Sequence, residues 1–234
     1  MNKLLEIVDL CKVFRTHHLD REIKPLDGLS LSIEKGEFMG IVGKSGSGKS
    51  TIIKCIYRSY LSTKGHIYYD SEAFGRVDLT NLSERKMIYL RKFEIGYVSQ
   101  FLDVMPRTTS FDLVKNSSLE TGKSLEEAKD MARTSLNHFD LDQKLWDSYP
   151  NTFSGGEKLR LNIAMAIVKK PRLLLLDEPT ASLDKDSKLK VRQAIAKLKD
   201  EGTTMIGIFH DLEFMQGLTD SVFHMATKEV EKCL

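Results

Sequence analysis

The chain has 234 residues, of which 41% are hydrophobic and 29% charged, with a formal net charge of +2. This length allows one sizeable core, with or without an inserted subdomain. The interleaved charges give no field that calls for a nucleic-acid partner, and the longest apolar runs are far shorter than the ~20 residues of a membrane span.

The N-terminal sequence and the cysteines predict a cytoplasmic protein. The N-terminus, MNKLLEIVDL, carries acidic residues too early for a signal peptide. Cys11, Cys55 and Cys233 are widely separated and form no C-x-x-C pair. An odd, unpatterned set of this kind predicts a reducing compartment and thiols that pack or lie exposed, rather than a metal site or a nucleophile.

The first hundred residues predict strands around one helix. The helix is predicted over Ser50–Tyr60, directly after a glycine-rich loop. Alternating or continuous apolar residues predict the strands, which are Leu4–Val8, Leu29–Ile33, Glu37–Val42, His66–Tyr69 and Ile95–Val98.

The middle of the chain, Ser110–Tyr149, is predicted to be mainly helical. Ser124 and Glu127 have the spacing of a capping box, in which each side chain bonds the other residue's amide. Helical spacing places five apolar residues on one face, namely Leu125, Ala128, Ala132, Leu136 and Phe139.

Helix and strand then alternate to the end of the chain. The predicted elements are a helix containing Ile163–Val168, a strand Leu173–Leu176, a helix Leu189–Leu198, a strand Thr204–Phe209, a short helix Leu212–Leu218 and an edge strand Val222–His224. This alternation predicts an α/β fold with a parallel sheet, into which the helical middle is inserted.

A phosphate-binding loop is predicted between the third strand and the helix that follows it. Residues 43–51 read GKSGSGKST, which contains G-x-x-x-x-G-K-S. The glycines let the loop wrap phosphates with its amides, Lys49 reaches the β- and γ-phosphates, and the Ser50 hydroxyl suits Mg²⁺. The alternative is a flexible glycine turn. It is disfavoured because the motif's lysine and hydroxyl occur here together with the predicted strand, loop and helix that the motif requires.

Two carboxylates follow the apolar strand in LLLLDEP. Asp177 and Glu178 are placed at the carboxyl edge of the sheet, where ligands bind in open α/β sheets. Asp177 suits the Mg²⁺ shell, and Glu178 suits a base for an attacking water. The alternative is that the pair caps a helix, which fits one carboxylate better than two.

A second anion site is predicted in FSGGEKLRL, residues 153–161. Ser154 and Glu157 form another possible capping box. Capping does not explain Gly155 and Gly156, because each glycine costs about 1 kcal/mol against alanine inside a helix. Bare backbone amides at a helix N-terminus favour an anion.

Four further signals are weak when each is taken alone. Gln100 and His210 each follow a strand, where they could reach a metal ion, water or a γ-phosphate, and the aromatic Phe14 could stack on adenine. Ser182-Leu183-Asp184 follows the carboxylates as a short loop that could simply cap the next helix.

Together these motifs, in this order, resemble the ATP-binding cassette family over nearly the whole chain. The resemblance implies a P-loop NTPase cassette with a mainly parallel sheet, an N-terminal antiparallel β subdomain and an inserted helical subdomain. It implies one domain, 1–234, with its nucleotide-binding core at about 1–100 and 158–234 and its helical subdomain at about 101–157. The cofactors implied are ATP and Mg²⁺, and the residues implied to bind nucleotide are Phe14, Gly43, Lys44, Ser45, Gly46, Ser47, Gly48, Lys49, Ser50 and Thr51.

The resemblance also implies a second cassette subunit, in a homodimer or heterodimer that sandwiches two nucleotides. Ser154, Gly155, Gly156 and Glu157 would face the partner's ATP, and the loop Ser182, Leu183 and Asp184 would lie at the interface. Within one chain, Glu178, Gln100 and His210 would act on the attacking water, and Ser50, Gln100 and Asp177 would hold the metal ion. The family's usual LSGGQ is changed here to FSGGE, by Phe153 and Glu157.

Segments outside these motifs resemble the L subunit of the bacterial phosphonate carbon–phosphorus lyase machinery. They are VSQFLDVMPRTTSF at 98–111, Leu145-Trp146, and GIFHD at 207–211. This resemblance implies soluble lyase subunits as partners and a role beside the step that makes ribose 1-phosphonate 5-triphosphate. VMPRTTSF also resembles lipoprotein-release and peptide-export cassettes, whose partner is a transmembrane permease.

Overall fold

A computed structural model describes residues 3–16, 21–99, 102, 107–180, 183–209 and 212–233. The strands are β1 (Lys3–Thr16), β2 (Arg21–Glu34), β3 (Phe38–Val42), β4 (Lys64–Ser71), β5 (Gly75–Asp78), β6 (Ile95–Val98), β7 (Leu173–Leu176), β8 (Thr204–Ile208), β9 (Ser221–His224) and β10 (Glu229–Lys232). The helices are α1 (Lys49–Ile56), α2 (Glu84–Phe93), α3 (Ser110–Leu119), α4 (Leu125–His138), α5 (Gly155–Ile167), α6 (Lys185–Asp200) and α7 (Leu212–Met215). Across these described ranges, no helix is both long enough and apolar enough to cross a membrane.

Two sheets organise the chain. The larger has the order β10-β9-β3-β8-β7-β6, in which only the β10–β9 pair is antiparallel. The smaller sheet is antiparallel, with the order β2-β1-β4-β5. The predicted fold class is therefore confirmed: a mainly parallel sheet, an N-terminal antiparallel sheet, and helices inserted between β6 and β7.

Every residue of the central strands β3, β7 and β8 is buried, because both faces of the larger sheet are covered. In β7, Leu174 and Leu176 pack into one core together with the inserted helices, whereas Leu173 and Leu175 pack into a second core with α1 and the antiparallel sheet. The run LLLL therefore joins two cores across a single strand.

The inserted helices rest on α5. The Ser135 hydroxyl in α4 donates to the carbonyl of Ala164 in α5 at 3.1 Å, and both residues are buried or nearly so. The predicted capping box of Ser124 and Glu127 is present at the start of α4. The placement of Leu125 on the buried face is wrong, since this side chain is 52% exposed. A helical side chain leans over the turn before its own position, and at the first position of α4 there is no such turn to cover.

Some predicted helix ends and the position of one predicted strand are also wrong. The helix predicted over Leu212–Leu218 ends at Met215. The helix predicted over Ser50–Tyr60 ends at Ile56, and the chain then turns through Arg58, whose φ is 59°. The strand predicted at the sheet edge, β9, lies between β3 and β10. The true edge strand, β10, has four exposed residues, so no apolar alternation predicts it.

Candidate functional site

Sheet order brings the predicted motifs to one edge of the larger sheet. The neighbouring strands β3, β8, β7 and β6 run parallel, so their carboxyl ends share that edge. The glycine loop follows β3, Asp177 and Glu178 follow β7, and the segments leading to Gln100 and His210 follow β6 and β8. Gln100, Ser182 and His210 themselves lie outside the described residues. Ligands of open α/β folds bind at such an edge.

The glycine loop leaves the first turn of α1 open. Its N-cap, Gly48, has a φ of 97° and gives no side-chain cap, and the first turn holds no acidic residue. A side chain at Gly48 would also collide with the Pro25 carbonyl of β2. Because the first amides of a helix lack intrahelical acceptors, the start of α1 is available to an anion.

Lys49 is buried against the loop, with 4% of its surface exposed. Its ammonium donates to the carbonyl oxygens of Gly43 at 2.9 Å and Lys44 at 3.1 Å. The hydroxyl of Ser47 is also buried in the loop, with no hydrogen-bond partner among the described residues. The loop therefore holds a positive charge and an unsatisfied hydroxyl together, which suits a bound phosphate.

Asp177 is buried at the end of β7, with 5% of its surface exposed. Its backbone amide donates to the Val98 carbonyl at 2.9 Å, and its Oδ2 accepts from the Tyr97 hydroxyl at 2.9 Å. Its Oδ1 is buried without a hydrogen-bond partner in the described part of the chain. Buried polar atoms are normally satisfied, and a carboxylate oxygen is a good ligand for Mg²⁺. The free oxygen of Asp177 therefore fits a magnesium ion, and the Ser50 hydroxyl, in the first turn of α1, is a candidate second ligand.

The phenol of Tyr97 stays protonated beside Asp177. Burial raises its pKa, and the negative charge and hydrogen bond of Asp177 raise it further. The hydroxyl consequently remains a donor to the carboxylate across the physiological pH range.

Glu178 leaves the strand in a left-handed conformation, with a φ of 53°. Such a conformation in a residue other than glycine costs of order 1–3 kcal/mol and is often found at functional sites. The turn places Glu178 just past the sheet edge, partly exposed, next to the buried Asp177. This position suits a base that must meet water.

The second predicted anion site begins α5, and its capping box is confirmed. The Glu157 carboxylate accepts from the amide and the hydroxyl of Ser154, each at 2.8 Å, and the Glu157 amide donates back to the Ser154 hydroxyl at 3.3 Å. The Gly155 and Gly156 amides, being in the first turn, have no intrahelical acceptor.

Gly155 and Gly156 also have a packing role, which the sequence does not reveal. A methyl group at Gly156 would lie 2.7 Å from the Ser187 hydroxyl, and one at Gly155 would lie 3.0 Å from Leu183. Both neighbours belong to the start of α6 and the loop before it. The glycines therefore permit close packing of α5 on α6, as well as exposing amides.

Asp184 caps α6 and orders this contact. Its carboxylate accepts from the Ser187 amide at 2.9 Å and from the Ser187 hydroxyl at 2.7 Å. These two hydrogen bonds hold the Asp184 pKa below its usual range. Ser187 thus joins Asp184 to Gly156, and the spacing of Asp184 and Ser187 is the only sequence signal for it.

Asn162 links α5 to the strand that leads to Gln100. Its side-chain amide donates to the Ser99 carbonyl at 3.1 Å. Asn162 is not predictable from the sequence, because it lies within an otherwise apolar stretch of helix and its partner is 63 positions away.

Phe14 forms part of an aromatic pair rather than standing alone. Its ring meets Tyr60 edge-on, with centroids 5.2 Å apart, and the Lys12 ammonium lies 4.8 Å from its centroid. Lys54 of α1 lies 5.5 Å from the Tyr60 ring. The pair stands half-buried beside the helix that follows the phosphate loop. No motif in the sequence predicts that Tyr60 pairs with Phe14.

The three cysteines differ in their exposure. Cys11 is half-buried, Cys55 is buried and Cys233 is exposed, and all three are free thiols. Burial raises the pKa of Cys55 to about 11, so its thiolate is scarce at neutral pH.

Comparison with known proteins points to one family. The ABC transporter family profile matches residues 26–181. The chain is 34% identical over 230 residues to the lipoprotein-releasing system ATP-binding protein LolD of Aquifex aeolicus, covering 98% of this chain and 97% of that protein. It is 35% identical over 186 residues to the macrolide export ATP-binding/permease protein MacB of Campylobacter jejuni, covering 80% of this chain but only 28% of MacB.

A solved structure shares the fold. The ATP-binding cassette MJ0796, in a dimeric post-hydrolysis state bound to ADP and Pi, superposes with a TM-score of 0.87 at 27% identity. The match covers 97% of this chain and 98% of MJ0796.

Proposed function

The chain belongs to the ABC transporter family of ATP-binding cassettes, and on that premise we propose that it hydrolyses ATP at the interface of two cassettes to drive a transmembrane permease of the release or export type. The observation that carries the proposal is the shared edge of the parallel sheet. There, the Lys49 loop follows β3 and the Asp177–Glu178 pair follows β7, and β8 alone separates these two parallel strands.

The proposed reaction is in-line attack of water on the γ-phosphorus of ATP. The water oxygen bonds to phosphorus, the bond from phosphorus to the bridging oxygen breaks, and ADP leaves with that electron pair. Glu178 takes the proton of the water, which Gln100 and His210 help to orient. Lys49 and the amides of the loop neutralise the charge that develops on the phosphate oxygens. Bound Mg²⁺ would neutralise further charge, held by Ser50, Gln100 and Asp177.

The second cassette completes the site in this proposal. Ser154 and Gly155 are exposed at the start of α5, and the first-turn amides there have no acceptor within the helix. A γ-phosphate of the partner's nucleotide suits this N-terminus. The dimeric state of MJ0796 supports the arrangement. Asp184, on the loop that contacts Gly155, would carry the signal between the two sites.

The identity of the driven partner rests on the relatives. LolD belongs by name to a lipoprotein-releasing system, and MacB is by name an export ATP-binding/permease protein. Both names support a permease as the partner of this chain. They give no support to the role beside phosphonate lyase.

A soluble phosphonate-processing complex is the second candidate. It is favoured by the segments 98–111 and 207–211 and by Leu145-Trp146, which resemble the L subunit outside the shared motifs. In that case the same ATP hydrolysis would serve the synthesis of ribose 1-phosphonate 5-triphosphate, with the glycosyl transfer in partner subunits.

A two-step pull-down from the native cell separates these candidates. The bait is the Glu178→Gln chain, and ATP is added to hold the closed dimer. The control bait is the Lys49→Ala chain, which is impaired in nucleotide binding. Permease subunits recovered only after detergent is added support the transporter role. Phosphonate-pathway subunits recovered without detergent overturn it in favour of the second candidate. Phosphate release by the purified wild-type chain tests the ATPase itself.

A further inference from the structure

The carboxylate of Asp177 is held from one side only. The Tyr97 hydroxyl donates to Oδ2 at 2.9 Å, while Oδ1 is buried and has no hydrogen-bond partner among the described residues. A carboxylate with one oxygen fixed by a donor cannot rotate freely about its terminal bond. The free oxygen therefore has a defined position at the edge of the sheet.

Tyr97 is itself fixed by a stack of side chains. Its ring lies on the ring of Tyr57, with centroids 4.9 Å apart and planes inclined by 23°. The Arg91 guanidinium lies 5.0 Å from the Tyr57 centroid and donates to the carbonyls of Tyr57 and Arg58, each at 2.9 Å. The stack joins α2, the end of α1 and β6, so the phenol is anchored to three elements.

We propose that Tyr97 is a positioning residue for the metal site, which holds Asp177 so that Oδ1 faces the cation bound with ATP. This inference rests on the proposed function, because it requires that nucleotide binds together with Mg²⁺. In this role Tyr97 acts through Asp177, whose Oδ2 accepts from its hydroxyl.

The expected effect follows from the role of such outer partners. A donor that orients a metal-binding carboxylate typically contributes tenfold to a hundredfold in metal affinity. Tyr97→Phe keeps the ring and its stack on Tyr57 and removes only the hydroxyl. Tyr57→Phe is the matched control, because it removes a hydroxyl from the same stack while the Tyr97–Asp177 bond remains.

The test measures binding and not turnover. Both substitutions are made in the Glu178→Gln chain, and binding of a fluorescent ATP analogue is followed as MgCl₂ is raised, and also in EDTA. We expect Tyr97→Phe to raise the half-saturating Mg²⁺ concentration about tenfold. Tyr57→Phe should stay within about twofold of the parent, and both variants should bind the analogue in EDTA as the parent does.

Each remaining outcome overturns the inference. A Tyr97→Phe chain with the parent's Mg²⁺ requirement shows that the hydroxyl does not position Asp177. An equal shift in Tyr57→Phe assigns the effect to the ring stack, and loss of binding in EDTA assigns Tyr97 a structural role. A parent chain whose nucleotide binding ignores Mg²⁺ removes the magnesium part of the proposed function as well.

Discussion

At the scale of single residues, Glu157 has two opposing effects. Its carboxylate accepts from the amide and hydroxyl of Ser154 and so completes the cap of α5. It also accepts the Ser154 hydroxyl proton and places a negative charge close to the position proposed for the partner's γ-phosphate. The capping role requires an acceptor atom, which glutamine also has, whereas the repulsion requires the charge.

We predict that Glu157→Gln tightens the ATP-dependent dimer. The amide oxygen keeps the cap, and removal of the charge from a helix N-terminus that faces phosphate should contribute about 1 kcal/mol, or roughly fivefold in Kd. Sedimentation velocity of the Glu178→Gln chain with ATP measures the change. Glu127→Gln is the matched control, because Glu127 has the same capping geometry at the start of α4. A weaker or unchanged dimer contradicts the prediction.

At the scale of elements, the contact of α5 with α6 depends on Gly156. Alanine is normally about 1 kcal/mol better than glycine inside a helix. At this position its methyl group would lie 2.7 Å from the Ser187 hydroxyl and 2.8 Å from the Ser187 Cβ. Such overpacking costs typically 1–3 kcal/mol, so the local preference and the packing oppose each other.

We predict that Gly156→Ala lowers the free energy of unfolding by about 1 kcal/mol, because overpacking outweighs helix preference. Gly155→Ala serves as the graded control, since its methyl group would meet only the flexible end of Leu183 at 3.0 Å. It should be close to the wild type. Urea unfolding of the three chains measures both values. A Gly156→Ala chain more stable than the wild type would show that α6 moves aside freely.

The elements missed by sequence analysis are those with little apolar patterning. Only Met87 and Leu90 are buried among the ten residues of α2, and β5 has no fully buried residue. Strands such as β3 and β7 are predictable because every residue in them is buried. Edge and surface elements form through backbone pairing and tertiary contact, which a pattern of side chains does not record.

The residues of the candidate site likewise divide into those that the sequence predicts and those that it does not. Lys49, Asp177 and the Ser154–Glu157 box were predictable, because each belongs to a motif with fixed local spacing. Tyr97 was not, since its bond to Asp177 spans 80 positions. Ser187 and Asn162 were missed for a related reason: what they contact across the fold depends on how α5 packs.

At the scale of the whole molecule, the strand order of the larger sheet assembles the candidate site. The order β3-β8-β7-β6 brings four chain segments that are far apart in the sequence to one edge. The start of α5 contributes a further anion site that its own packing leaves exposed. One chain thus carries two halves of a phosphate site, which fits the dimer implied by the resemblance, in which two cassettes sandwich two nucleotides.

The most direct test of this account is the behaviour of Glu178→Gln. We predict that the variant still binds ATP, sediments as a dimer with ATP and as a monomer without nucleotide, and releases phosphate at least about 100-fold more slowly than the wild type, because the base is lost. Lys49→Ala, impaired in nucleotide binding, should remain monomeric. Phosphate release by Glu178→Gln at the wild-type rate would contradict the assignment of Glu178 as the base and, with it, the proposed mechanism.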